Sequence, residues 1–408
     1  MTSKKDYGSM TIDDLAREAS SIEEVSSILK WVFWPVMEKM LQAEMDEHLG
    51  YDKHSRKWWN TWNSRNWSYK KKILTTSGAS DIEIPRDRNG DFDPKIIPKY
   101  ETRTSEVEEK IINMYALGMT TSDIQDNIKD IYWANVSPTL ISSITDKIIP
   151  EIKERQSRPI EKCYPIVYLD AMHFKVKDGG VYKEKAVYIV LGVNIKGIKE
   201  LLGLYVWEAE SSSFWQTVCS DLSQRGVQDV FIACTDNLSW FSKAITNIFP
   251  KTVIQKCIIH QIRNSLKHVS YKDYKEFVQD LKNIYQAPNL EVAENNLCIF
   301  EEKWGKKYGL AVKSWFTNWA ELSTYFAYPA PIRKLIYTTN TIEGFNRQVR
   351  KSTKNRPHFP DDVALMKILY LVSQRITKKW INPVHDWWSI LNQFESMFEW
   401  RVNLHLDI

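Results

Sequence analysis

Apolar residues recur at three- and four-residue spacing over residues 11–50, at Ile12, Leu15, Ile22, Val25, Ile28, Leu29, Val32 and Phe33. That spacing gathers them on one helix face, so the segment is expected to be helical. The period is lost in the next stretch, rich in Trp, Asn, Ser and Lys. It ends in Asp81-Ile82-Glu83-Ile84, then Pro85 and Asn89-Gly90, which predicts a short strand running into a turn. Helical spacing returns at Val107, Ile111, Ile112, Met114, Tyr115 and Leu117 and stops at Gly118. Thr120 or Thr121 can cap a second helix through Ile124 and Ile128. Ser137-Pro138 is a start signal, a hydroxyl cap followed by Pro in the first turn, and Leu140, Ile141, Ile144 and Ile148 follow on one face. Helix, glycine turn, helix, helix is the grammar of a DNA-reading helix-turn-helix. An ordinary three-helix unit has the same grammar, and the third helix offers Ser142, Ser143 and Thr145 but no Arg.

From residue 164 the period changes. Pro165–Val176, Lys185–Asn194 and Leu201–Trp207 read as three strands. A helix over Ser213–Gln224 stops at Gly226. Val230–Thr235 is a fourth, fully buried strand ending at Asp236. A helix over Trp240–Ile248 and a fifth strand over Val253–Ile259 follow. The order β-β-β-α-β-α-β predicts a mixed sheet with helices on its faces. Residues 262–335 return to helix, with Trp304, Trp315 and Trp319. A further helix spans 338–355, opened by Thr338-Thr339-Asn340-Thr341, and more helix fills 361–400.

The 408 residues are 43% hydrophobic and 26% charged, the balance of a globular chain long enough for two or three domains. No apolar run approaches the roughly 20 residues of a membrane span, and Met1–Asp6 leads into polar sequence with no signal core. Five scattered cysteines form no disulfide framework, which points to a reducing, cytoplasmic setting. The net charge of +4 says less than its distribution. Residues 1–50 carry five Lys/Arg against ten Asp/Glu, residues 51–103 twelve against seven, and residues 344–380 nine against two. Two basic blocks suit an anionic polymer, and equally two solvated faces. Trp58, Trp59, Trp62 and Trp67 lie in the first block, which also holds Lys70, Lys71 and Lys72. Aromatics among cations can stack on bases; composition favours reading them as the core of a small domain.

Several residues could carry chemistry. Asp170 lies in the first sheet strand and Asp236 at the C-terminal end of the fourth. If those strands are neighbours, two carboxylates converge, and their repulsion is relieved by a divalent cation. Two Mg²⁺ ions about 4 Å apart are the usual device for phosphoryl transfer. Two solvated strand-end aspartates would look the same. Glu343 precedes Asn346, Arg347, Arg350 and Lys351, which share or border its helix face. That pattern fits an ion pair along a helix, or a metal-binding Glu beside phosphate-binding cations. Cys257-Ile258-Ile259-His260 has zinc-like spacing but no second half. A His near the catalytic edge, at the end of the fifth strand, is the better reading.

These motifs, in this order, resemble the Mutator-type transposases of bacterial insertion sequences. The resemblance runs through Ile84–Pro94, Met114–Thr121, Tyr168-Leu169-Asp170, Phe214-Trp215 with Arg225-Gly226, Thr235–Leu238, Gln255–Leu266, Thr338–Lys351 and Trp388–Phe394. Asn237 stands where the family usually has Gly, as does Trp67 after Arg65-Asn66, and Ala171 follows Asp170 where Gly is commoner. None of these departures removes Asp170, Asp236 or Glu343, so activity is expected.

The resemblance implies an α/β fold: a ribonuclease H-like mixed-sheet core interrupted by an all-helical insertion and preceded by a mainly helical DNA-binding region with a helix-turn-helix. The expected divisions are 1–104, helical and basic; 105–155, helix-turn-helix-like; 156–261, first part of the core; 262–335, insertion; and 336–408, last part of the core. Asp170, Asp236 and Glu343 match an aspartate-aspartate-glutamate triad holding two Mg²⁺ ions, with Mn²⁺ as a substitute. Cys257 and His260 match a family signature. Arg347, Arg350 and Lys351, together with Ser142, Ser143, Lys70, Lys71 and Lys72, are candidate DNA contacts. The implied partner is double-stranded DNA, both terminal inverted repeats and target, engaged by a homodimer or larger assembly in a bacterial or archaeal cytoplasm, at the nucleoid. A nuclease of the same fold, or a catalytically silent DNA-binding protein, is the alternative.

Overall fold

The computed structural model describes residues 22–55, 62–75, 78–99, 101–132, 135–208, 211–236, 241–337, 340–398 and 401–402. Residues 11–21 of the expected first helix, Trp58, Trp59, Asn237, Trp240 and Thr338-Thr339 lie outside them. The chain forms two units. Residues up to 115, with 119–146, make the first; residues 116–118, with everything from 147 onward, make the second.

In the first unit a long helix, α1 (Ile22–Leu49), precedes an antiparallel hairpin of β1 (Tyr69–Thr75) and β2 (Gly78–Ile84). Leu41 of α1, Ile73, Ile82, Ile84 and Ile97 bury a small core. The hydrophobic pattern announced β2 but not β1, because Lys70-Lys71-Lys72 disguises its alternation. Lys70 and Lys72 face solvent while Lys71 is buried, its ammonium donating to the carbonyls of Pro98 (2.6 Å) and Lys99 (2.9 Å). The core reading of the Trp cluster fails where it can be checked: Trp62 and Trp67 are almost wholly exposed.

Three helices follow, α2 (Ser105–Ala116), α3 (Thr121–Tyr132) and α4 (Pro138–Asp146). Their buried stripes are the expected ones, Ile124 and Ile128 on α3 and Ile141 and Ile144 on α4. Both caps form. The Thr120 hydroxyl accepts from the Asp123 amide (3.1 Å) and the Asp123 carboxylate accepts from the Thr120 amide (2.9 Å), a reciprocal box. The Ser137 hydroxyl accepts from the Leu140 amide (3.1 Å).

The second unit opens with α5 (Ile149–Ser157) and is built on one mixed sheet. Its strands are β3 (Cys163–Asp178), β4 (Val181–Val193), β5 (Lys199–Trp207), β6 (Asp229–Thr235) and β7 (Val253–Lys256), in the order β5-β4-β3-β6-β7. The first three pair antiparallel, and β6 and β7 add in parallel. A two-residue β8 (His358–Phe359) pairs with the far end of β3. Helices α6 (Ser212–Gln224) and α7 (Phe241–Ile248) cover one face, with Trp215, Val218, Leu222, Ala244 and Ile245 packed on Val167, Leu169, Tyr188 and Val190. Side chains alternate along a strand, so Tyr168 and Asp170 point to the other face.

Then come α8 (Ile258–Leu266), α9 (Tyr274–Tyr285), α10 (Leu290–Trp304), α11 (Gly309–Leu322) and α12 (Ala330–Ile336), filling the expected helical stretch. The last helices are α13 (Asn340–Thr353), α14 (Asp362–Thr377) and α15 (Trp387–Met397). One boundary needs correction. The fifth strand ends at Lys256, and Cys257 is the cap of α8 rather than part of a strand. The apolar run Val253–Ile259 concealed this change, since an unbroken apolar stretch has no period to read. Among the described residues no helix is long and apolar enough to cross a membrane.

Candidate active site

The β3–β6 pairing carries Asp170 and Asp236 to the same place. Tyr168 stands opposite Cys234 in the parallel register, and the two aspartates lie just beyond that pair. His260, in the first turn of α8, completes the group. One ligand atom from each of Asp170, Asp236 and His260 lies within 4.8 Å of the others. The His260 Nδ1 is 3.6 Å from an Asp236 carboxylate oxygen, is buried and has no hydrogen-bond partner.

Helix α13 closes the site from the other side. Asn346 donates to the Asp170 carboxylate at 2.5 Å, and both residues are buried. Glu343 sits one turn earlier on the same helix. Its Oε1 lies 2.7 Å from an Arg263 Nη2 of α8, yet that buried oxygen receives no aligned N–H. The contact is therefore a charge pair rather than a formed hydrogen bond. Glu343 is thus not within the tight group of three.

The electrostatics follow from burial. Desolvation raises the Asp170 carboxyl above its ordinary range; His260 and the amide donors of Ala171 and Asn346 oppose that rise, and Asp236 adds to it. Burial alone would lower His260, but Cys257, Asp236 and Asp170 together raise it to about 9. Two carboxylates, one of them deeply buried, with an unfilled oxygen on Glu343, are a donor set suited to a divalent cation. Cys257 is buried beside His260, and no Cys or His supplies the remaining ligands of a structural zinc site among the described residues.

The candidate DNA contacts separate by placement. Arg347, Arg350 and Lys351 lie exposed along α13. Ser143 of α4 is exposed and Ser142 half-buried. Lys70 and Lys72 are free to meet phosphate, whereas Lys71 is a correction: its inward carbonyl contacts remove it as a surface cation. Two site residues escaped the sequence reading, Asn346 as a partner of Asp170 and Arg263 as a partner of Glu343. Their i, i+3 spacings, Glu343 to Asn346 and His260 to Arg263, were the available signal.

Comparison with known proteins identifies the family. The family model for the Mutator family of transposases matches residues 6–383, and the chain belongs to that family. A probable transposase for an ISRM3-like insertion sequence element of Sinorhizobium fredii is 43% identical over 383 residues, covering 94% of this chain and 95% of the relative. The transposase for insertion sequence element ISRM3 of Rhizobium meliloti is 42% identical over the same share of each chain. The transposase for insertion sequence element IS905 of Lactococcus lactis is 31% identical, with 92% and 96% covered.

Proposed function

We propose that the protein is a metal-dependent DNA transposase that binds the terminal inverted repeats of an insertion sequence, cleaves a strand there and joins it to another. The observation that carries this is the meeting of Asp170, Asp236 and the Glu343 helix at one edge of a mixed sheet, in a chain of the Mutator family. The strand order, three antiparallel strands followed by two parallel ones, supports a ribonuclease H-like core. Helices α2 to α4 supply the helix-turn-helix of the DNA-binding region.

Asp170, Asp236 and Glu343 would hold Mg²⁺ or Mn²⁺, which when bound stabilises charge on the transferring phosphate. Asn346 fixes the Asp170 carboxylate by its hydrogen bond. Arg347, Arg350 and Lys351 meet the strand phosphates. Water attacks the phosphodiester at the element end and leaves a 3′-hydroxyl, which then attacks a second strand without a covalent protein intermediate. Two ends must be brought together, so the working form is at least a dimer.

The test is incubation of the purified protein with DNA carrying its element end and Mg²⁺ or Mn²⁺, beside Asp236→Asn. Metal-dependent nicking and joining by the wild type alone is the expected result. Nicking without joining of pre-cut ends would make it a nuclease of the same fold. Binding without cleavage would make it a silent DNA-binding protein.

A further inference from the structure

A cavity of about 640 Å³ opens on the second unit away from the carboxylates. Its wall comes from three places: Arg155 on α5 with Arg158 just after it, Lys199 at the start of β5, and Lys378 with Trp380 after α14. The acidic groups on the wall are Glu161 and Glu200. Glu200 is already engaged, accepting from the Asn194 amide (2.6 Å) and the Tyr164 hydroxyl (3.2 Å), with Arg158 at 3.8 Å. Cations therefore outnumber the carboxylates left to meet them. The Arg158 Nε is buried without a hydrogen-bond partner, as is the Nη2 of Arg225 nearby. Burial, then the positive charges of Arg158 and Arg225, lower the Arg155 guanidinium from its ordinary value, although Tyr370 and Glu200 offset part of this. Gathered like charges repel, and a bound anion relieves them.

We propose that this cavity holds the phosphodiester backbone of one DNA strand, with a sugar or base against Trp380. Guanidinium forks suit phosphate oxygens, and an aromatic ring among cations is the general device for holding a nucleic-acid strand. Trp380 is held ready by its contact with Phe345, at 6.1 Å between ring centroids. The volume falls within the range of about 300–1,000 Å³ that admits small-molecule ligands, enough for a nucleotide unit. The cavity flanks the beginning of β3, and Asp170 lies further along β3. A DNA strand that reaches both places crosses the cavity beside the cleaved bond, since Trp380 meets Phe345, the neighbour of the Asn346 that holds Asp170.

This inference rests on the transposase reading, and its test separates the two. A duplex carrying the element end, with 5-iododeoxyuridine at successive positions, is photo-cross-linked to the full chain and the cross-linked peptide is identified. The expected result is a cross-link at Trp380 from a narrow set of positions beside the cleaved bond. Combined Arg155→Gln, Lys199→Gln and Lys378→Gln substitution should remove it and weaken DNA binding about tenfold, with a shallower salt dependence. Should that variant melt early, exposed Lys378→Gln alone, read by the same cross-link, replaces it. Asp236→Asn should lose cleavage and keep the cross-link, so loss of cleavage alone leaves the cavity assignment standing. Cleavage with no cross-link at Trp380 and unchanged affinity in the triple variant would overturn the assignment. Full displacement of the cross-link by inorganic phosphate would also overturn it, in favour of a free-anion site.

Discussion

Asp170 shows how a candidate functional residue strains its own fold. Its carboxylate is buried and close to a second one, and His260 offsets only part of the cost. Asp170→Asn keeps the shape and can still accept from Asn346, so without metal it is expected to raise the melting temperature. The same variant should lose strand cleavage by about a thousandfold or more. A fall in melting temperature would show instead that the charge is compensated in the metal-free protein. The lysine run gives a second contrast. Lys70→Gln with Lys72→Gln should weaken DNA binding and flatten its salt dependence without moving stability. Lys71→Gln should do the reverse, costing about 1–3 kcal/mol as it breaks two buried carbonyl contacts. Binding titrations and thermal melts on the two variants decide this.

Elements are positioned by a few close fits. Gly118 has φ +95, and a Cβ there would meet the Ser352 carbonyl oxygen of α13 at 1.9 Å. Arg356, just past α13, donates to the Gly118 carbonyl at 3.2 Å. Gly118→Ala therefore combines a disfavoured backbone conformation with a backbone clash, and should cost about 2 kcal/mol or more. Because α13 carries Glu343 and Asn346, cleavage should fall together with stability, measured by melting and by end nicking. At β4 the buried ammonium of Lys185 pairs with Asp362 of α14 at 2.7 Å, which pins the last helices to the sheet.

At the scale of the whole molecule, much of the catalytic unit was legible beforehand. The switch from helical period to three strands, and then to alternating helix and strand, predicted a mixed sheet. Adjacency of the first and fourth strands brings Asp170 beside Asp236 as that order allowed. Glu343 was less legible, because a Glu followed by cations reads equally as a helix ion pair, and only the resemblance chose between them. His260 was placed on a strand end because an apolar run hides the start of α8. Asn346 and Arg263 have the spacing of their helix faces, but their partners Asp170 and Glu343 lie on distant segments, and spacing within one helix names no partner. The Trp cluster misled for a related reason: bulk suggests a core, but only packing partners make one, and Trp62 and Trp67 have little cover.

Asp170, Asp236 and Glu343 are expected to act together on DNA, and Glu343 is the one that pairs with Arg263. The most direct measurement is therefore single-turnover nicking and joining of element-end DNA in Mg²⁺ by wild type and Glu343→Gln at equal DNA occupancy. The account predicts products from the wild type and a loss of about a thousandfold or more in the variant, with binding and melting unchanged. Nicking by Glu343→Gln at the wild-type rate would contradict it.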